Sequence, residues 1–230
     1  MGLNTNEHND DGAVFLSVRI STDAKGRKKA ILAKRCTADT PGAKQVFKAD
    51  GSPAANKDGD NVYRLEFDSL TGRIVKLERH DAEFGDGKKQ SYLHVSVHDG
   101  SDLYVLSLDR GDRYWSDFLM RLPLVDTSAP VTLAPYQIPE EGSDKYNAGI
   151  GIRQNGQKVK RKWNKEDGYD GGPPQATFDE DEQEWKWGKR NKWMEENILA
   201  PIAASLQAMP GEVTAPAAPA SNDDDDGLPF

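Results

Sequence analysis

Three lysines set at every second position, Lys158, Lys160 and Lys162, alternate with Val159, Arg161 and Trp163 just after the turn signal Gln154-Asn155-Gly156. Successive side chains of an extended strand point to opposite faces, so the three ammoniums share a face at a spacing near that of a stretched phosphate backbone. Arg153 stands on the other arm of the same expected hairpin. Cations that follow phosphates, interleaved with flat rings on which bases stack, are what a single nucleic-acid strand asks of a protein, each stack contributing about 1–3 kcal/mol without selecting a sequence. Trp163 offers one such ring. A second candidate surface lies where Leu93, Val95 and Val97 alternate with Tyr92, His94, Ser96 and His98. If the aliphatic set faces a core, Tyr92 and His94 look outward, and Arg73 and Lys76 on the preceding strand lie within reach of phosphates there. Strict alternation puts Arg73 and Lys76 on opposite faces, so one of them serves. Competing readings stay open, since a lysine row also guards an edge strand against aggregation and any one ring also suits packing.

The C-terminus carries a different chemistry. Asp223, Asp224, Asp225 and Asp226 repel one another and stay solvated, and Gly227 separates them from the apolar tip Leu228, Pro229 and Phe230. A basic pocket would take the terminal carboxylate and an adjacent slot the phenyl ring, the C-terminal capture mode of peptide recognition. The alternative is an acidic, solubilising terminus. Upstream, residues 210–222 are Pro, Ala and small polar groups with little to bury, the composition of a semi-extended tether.

Asp223, Asp224, Asp225, Asp226, Pro229 and Phe230, at the end of such a tether, closely resemble the C-terminus of the single-stranded DNA-binding proteins of bacteria and several phages. Leu228 stands where the bacterial tip usually has Ile, and Gly227 where another small or acidic residue often occurs. The match covers about the last eight residues. It implies a tip that recruits replication, repair and recombination proteins and, with no DNA bound, competes electrostatically for the cationic groove. The rest of the chain lacks the N-terminal strand pattern of the ordinary bacterial family, which favours the phage group.

Net charge is −8, unusual for a nucleic-acid binder, whose affinity comes largely from phosphate neutralisation. Its location resolves the conflict. Residues 212–230 hold five acids and no Lys or Arg, and Asp179, Glu180, Asp181, Glu182 and Glu184 form a second acidic cluster, so the remaining surface is slightly positive. Segregated charge is compatible with a groove for an anionic strand. No apolar run approaches the roughly 20 residues of a membrane span, and the polar start has no signal-peptide core, so the expectation is a cytoplasmic protein with no membrane partner, in the host cytoplasm if phage-encoded. The single cysteine, Cys36, excludes an internal disulfide and a multi-cysteine zinc site.

The elements that must hold these groups are mainly strands. Val14, Leu16, Val18 and Ile20 alternate with Phe15, Ser17, Arg19 and Ser21, and residues 30–34 follow as a second arm. Residues 38–60 have no period and read as a mobile loop. Period-two alternation returns over 62–67, 72–78, 91–98 and 103–108, with a turn at His98-Asp99-Gly100-Ser101. Trp115, Phe118, Leu119 and Leu122 then mark one face of a helix, with Asp112 as N-cap and Pro123 as its stop. More strands follow over 131–138, 148–153 and 157–163. Strands, one helix, strands is the order of an OB-fold. The expected fold is therefore mainly β: an OB-fold-like antiparallel barrel with one helix between strands three and four, a C-terminal helix interrupted near Pro201, and a disordered acidic tail. Residues 1–209 form the DNA-binding domain, and 210–230 the linker and docking tip.

Three further points bound the function. Trp185, Trp187 and Trp193 mix with Lys186, Lys189, Arg190 and Lys192, and serve either to flank the groove or to anchor the C-terminal helix. No phosphate-cradling glycine loop, nucleophile elbow or CxxC pair is present, so the expectation is a binding protein, with no catalytic residues, metal or other cofactor. An acidic DNA mimic or scaffold is the main alternative, against which the lysine row counts, and a metal-dependent nuclease is the remote one.

Overall fold

In a computed structural model, residues 12–22, 28–48, 51–56, 58–83, 87–142, 145–164 and 168–208 are described. The tether and tip, including Asp223, Asp224, Asp225, Asp226, Leu228, Pro229 and Phe230, lie outside them. The two alternating N-terminal runs pair as the antiparallel strands β1 (Val14–Thr22) and β2 (Lys28–Cys36). Between residues 38 and 60, where the lack of period predicts a loop without elements, the chain forms β3 (Lys44–Gln45) and two isolated bridges, Phe47 with Pro53 and Ala55 with Asn61. Local side chains replace periodicity here: Asn56 Oδ1 accepts the backbone N–H groups of Asp58 and Asp60, closing a tight turn.

β4 (Tyr63–Phe67) leads to the meander of β5 (Leu70–Glu83), β6 (Lys89–His98) and β7 (Leu103–Asp109). Asp99 fixes the β6–β7 turn by accepting the backbone N–H groups of Ser101 and Asp102, and Gly100 supplies the positive φ of 111°. α1 (Arg113–Arg121) follows, capped by Asp112, whose carboxylate accepts the N–H of Trp115 at 2.6 Å. It ends in a 3₁₀ turn, Leu122–Leu124, that contains Pro123. β8 (Val131–Pro139) and β9 (Tyr146–Gln154) form a long hairpin, and Asn155 and Gly156, both at positive φ, turn β9 into β10 (Gln157–Lys158). A small separate hairpin, β11 (Thr177–Asp179) with β12 (Glu184–Lys186), precedes the C-terminal helical run.

That run is not interrupted at Pro201. α2 (Gly188–Met194) widens into a π turn over Glu195–Leu199 and continues as α3 (Ala200–Ala208), which contains Pro201. A proline inside a helix removes one N–H and crowds the carbonyl four residues back, here that of Asn197, and a π turn is one way a helix absorbs such a defect.

The main sheet has ten strands in the order β10-β9-β8-β5-β6-β7-β1-β2-β4-β3. It departs from the expected antiparallel barrel in two ways. The N-terminal strand occupies the free edge of the meander, and its β1–β7 pairing is parallel. The sheet is also not closed into a barrel, since its terminal strands β10 and β3 are two residues each and do not pair with one another. It curls enough for β2 to approach β8 across the interior. One face encloses Leu16, Leu32, Ile74, Leu77, Leu93, Val95, Val97, Leu106, Leu133 and Ile152, and α1 closes the end with Trp115, Phe118, Leu119 and Leu122, all buried. Each such aliphatic or aromatic side chain contributes about 1.5–3 kcal/mol on burial. The aliphatic parity of β6 and the helical face of α1 are those read from the sequence. Among the described residues, no helix is long and apolar enough to cross a membrane.

Candidate nucleic-acid interface

Register decides which side chains share the outer face, because directly paired residues point the same way. Lys158 on β10 pairs with Arg153 on β9, Arg153 with Thr132 on β8, and Thr132 with Thr71 on β5. The 2.9 Å hydrogen bond between the Thr71 and Thr132 hydroxyls lies on this same face. Two residues beyond Thr71 is Arg73, opposite His98 of β6. A cationic row therefore crosses four adjacent strands, on the order of 5 Å apart, and Arg73, Arg153 and Lys158 are all exposed.

A β-bulge corrects the expectation that Arg73 and Lys76 oppose each other. The register shifts between Ile74 and Lys76, so Ile74 and Leu77 both enter the core while Arg73 and Lys76 both look outward, opposite His98 and Ser96. Lys76 is ion-paired with Glu78 at 2.8 Å, with both side chains exposed. Gly72 lets β5 run close to its neighbour, since a Cβ there would lie 2.5 Å from the His98 carbonyl oxygen.

Farther along the same face, rings gather from three strands. His94 stacks on His80 of β5 with centroids 4.7 Å apart and 13° between planes, and Phe15 of β1 meets His94 edge-on at 5.9 Å. Tyr92 pairs with His80 on one side and Asp109 on the other. Its hydroxyl is held above the usual phenol range by burial and then by Asp109, with Arg19 pulling the other way. Burial likewise raises the Asp109 carboxyl, against the attraction of Arg19 and a hydrogen bond from Gln90. Phe15, His80 and Arg19 also belong to this surface, without a local sequence signal that marks them for it. Phe15 and Arg19 stand in the outward set of β1, and the parallel β1–β7 pairing brings Phe15 beside His94 and Arg19 near Tyr92 and Asp109.

The lysine row behaves differently. Exposure alternates as expected, with Lys158, Lys160 and Lys162 exposed and Val159, Arg161 and Trp163 half-buried, yet strand pairing ends at Lys158. Arg161 explains the departure. Its Nε donates to Asp117 Oδ1 at 2.5 Å and its Nη2 to the Tyr136 hydroxyl at 3.2 Å, drawing the chain toward α1. Asp117, with 2 % of its side chain exposed, also accepts two hydrogen bonds from Arg121 and one from Tyr136. Gly149 makes room for this carboxylate, because a Cβ there would sit 2.2 Å from Asp117 Oδ2. The Lys162 N–H then donates to the Met120 carbonyl, and its ammonium lies 4.9 Å from the Trp163 ring centre. Trp163 packs edge-on against Trp193 at 5.5 Å and supports the core. Lys162 and Trp163 thus belong to a cleft beside the C-terminal helix.

No protein-family model, curated protein or solved structure matches this chain. The arrangement itself defines a β-sheet surface bearing a cationic row next to a cluster of rings.

Proposed function

We propose that the chain binds single-stranded DNA without sequence preference, the strand lying across the outer face of the sheet from Lys158 and Arg153, past Arg73 and Lys76, to His80, Tyr92, His94, Phe15 and Arg19. The observation that carries this reading is the register that unites these groups from five strands on one face. Phosphates meet guanidinium and ammonium groups at one end, and bases stack on imidazole and phenyl rings at the other. The order of elements supports an OB-like core in which β5, β6 and β7 act as strands one to three, α1 follows, and β8 and β9 act as strands four and five, with the second and third strands contributing the binding face. The bulged β5 pairs with β6 along most of its length and with β8 at its start. The N-terminal hairpin is an addition to that plan. On this reading the acidic tip recruits replication, recombination and repair proteins and competes with DNA for the cations, in the cytoplasm of the cell where the strand is exposed. Fluorescence anisotropy with labelled oligo-dT and a duplex of equal length tests it. Tighter binding of the single strand is expected, and equal affinity or no binding at low salt overturns it.

A further inference from the structure

The β11–β12 hairpin leaves its aromatic side chains uncovered. Phe178 and Trp185 are paired in register, with ring centres 5.4 Å apart, yet remain 45 % and 57 % exposed, and Trp187 beyond them is 48 % exposed. Asp179 and Glu184, the next pair in register, point to the face opposite the rings, the turn between them adds Glu180, Asp181 and Glu182, and Lys186 bridges Glu182 and Glu184. Asp179 sits directly opposite Glu184, a like-charge pair that destabilises a hairpin already marginal as an isolated two-stranded unit. Folding of this domain does not call for such an arrangement. Exposed rings beside an acidic turn fit an apolar hollow with a basic group at its edge.

Such a hollow exists on the same molecule. A cleft of about 420 Å³ runs between the 3₁₀ turn after α1 and the C-terminal helical run, walled by Leu122, Val125, Trp163, Trp193, Ile198 and Ile202. Among the described residues, Lys162 is the charged one in its lining, and the exposed Lys160 and Lys158 precede Lys162 along the chain. Neither Phe178 nor Trp185 of the same molecule lines the cleft.

We propose that a second copy of this chain seats its β11–β12 hairpin in the cleft, Trp185 entering the apolar hollow and the acidic turn meeting Lys162 and Lys160. Hairpin and cleft are different patches, so the contact is head-to-tail and leaves a free hairpin at one end and a free cleft at the other. Such contacts extend into open chains unless a rotation closes them. The acidic turn makes the association salt-sensitive, and the small contact makes it weak.

Sedimentation velocity of the full chain without DNA, over a wide concentration range at low and high salt, tests this. Mass should rise with concentration at low salt and fall back to monomer at high salt. The double variant Phe178→Ser with Trp185→Ser, and separately Lys162→Glu, alter exposed groups and should each be monomeric, with circular dichroism confirming that both fold. Mixed in equal amounts, they should form dimers that go no further, because one retains the cleft and the other the hairpin. A monomeric parent, variants that associate like the parent, or a mixture that stays monomeric would overturn the proposal. A chain lacking residues 212–230 should associate as the full chain does, and loss of association on truncation would assign the cleft to the tail instead. None of these readouts involves DNA, so their failure leaves the binding reading above to stand or fall by its own test.

Discussion

Asp112 serves two opposed demands. As N-cap of α1 it accepts the Trp115 N–H, which favours the carboxylate, but burial outweighs this and, with repulsion from Asp109, pushes its carboxyl up to about 6. An acid whose folded pKa lies above its unfolded value holds its proton more firmly when folded. The stability this contributes is therefore complete below the ordinary value of 3.8 and is lost as pH rises through about 6. Asp112→Asn keeps a capping oxygen and carries no charge. It should be more stable than the parent at pH 7 by an amount bounded at about 3 kcal/mol, with the difference vanishing toward pH 4, as read by urea denaturation across that range. Asp117 gathers partners around its charge. Its carboxylate holds Arg121, whose side chain is 6 % exposed, together with Arg161 and Tyr136. Asp117→Ala should cost about 3 kcal/mol or more in the same assay, because it leaves the buried Arg121 without its counter-charge, with only the Val159 carbonyl to accept from it.

At the scale of the element, the proposed interface depends on pairings between strands distant in sequence. If the outer face is where phosphates lie, replacing Arg73, Arg153 and Lys158 together by Ala should weaken oligo-dT binding for all sequences alike. It should also reduce the slope of log affinity against log salt by up to about 2, at about 0.7 per contact on a single strand. An unchanged slope would remove these cations from the interface. How much of this face was legible follows from the range of each interaction. Period-two alternation, the Asp112 cap and the Asn155-Gly156 turn are local, and they located β1, β6, β7, α1 and the β9–β10 turn. The bulge after Ile74 was not legible, and it reverses the expected orientation of Arg73 relative to Lys76. The parallel pairing of β1 with β7 joins residues about ninety positions apart, and no local pattern announces that Phe15 will meet His94. The lysine row failed as a strand beyond Lys158 because Arg161 is drawn to Asp117, a partner forty-four residues away.

On the whole-molecule scale, the tail and the cluster over 179–184 hold acids with no Lys or Arg and together outweigh the net charge of −8, so a sheet with its own cations coexists with that charge. If the four terminal Asp compete with phosphates for those cations, removing residues 212–230 should tighten oligo-dT binding, most at low salt where charge competition is least screened. Anisotropy titrations at several salt concentrations check this, and weaker binding on truncation would end the competition model. The central claim, that one strand lies over the rings of β1, β5 and β6, is tested most directly by photo-crosslinking the full chain to oligo-dT bearing 5-iodouracil and mapping the adducts by mass spectrometry. The account predicts adducts at Tyr92, His94, His80 and Phe15. Adducts confined to Phe178, Trp185 and Trp187, with none on the sheet face, would contradict it.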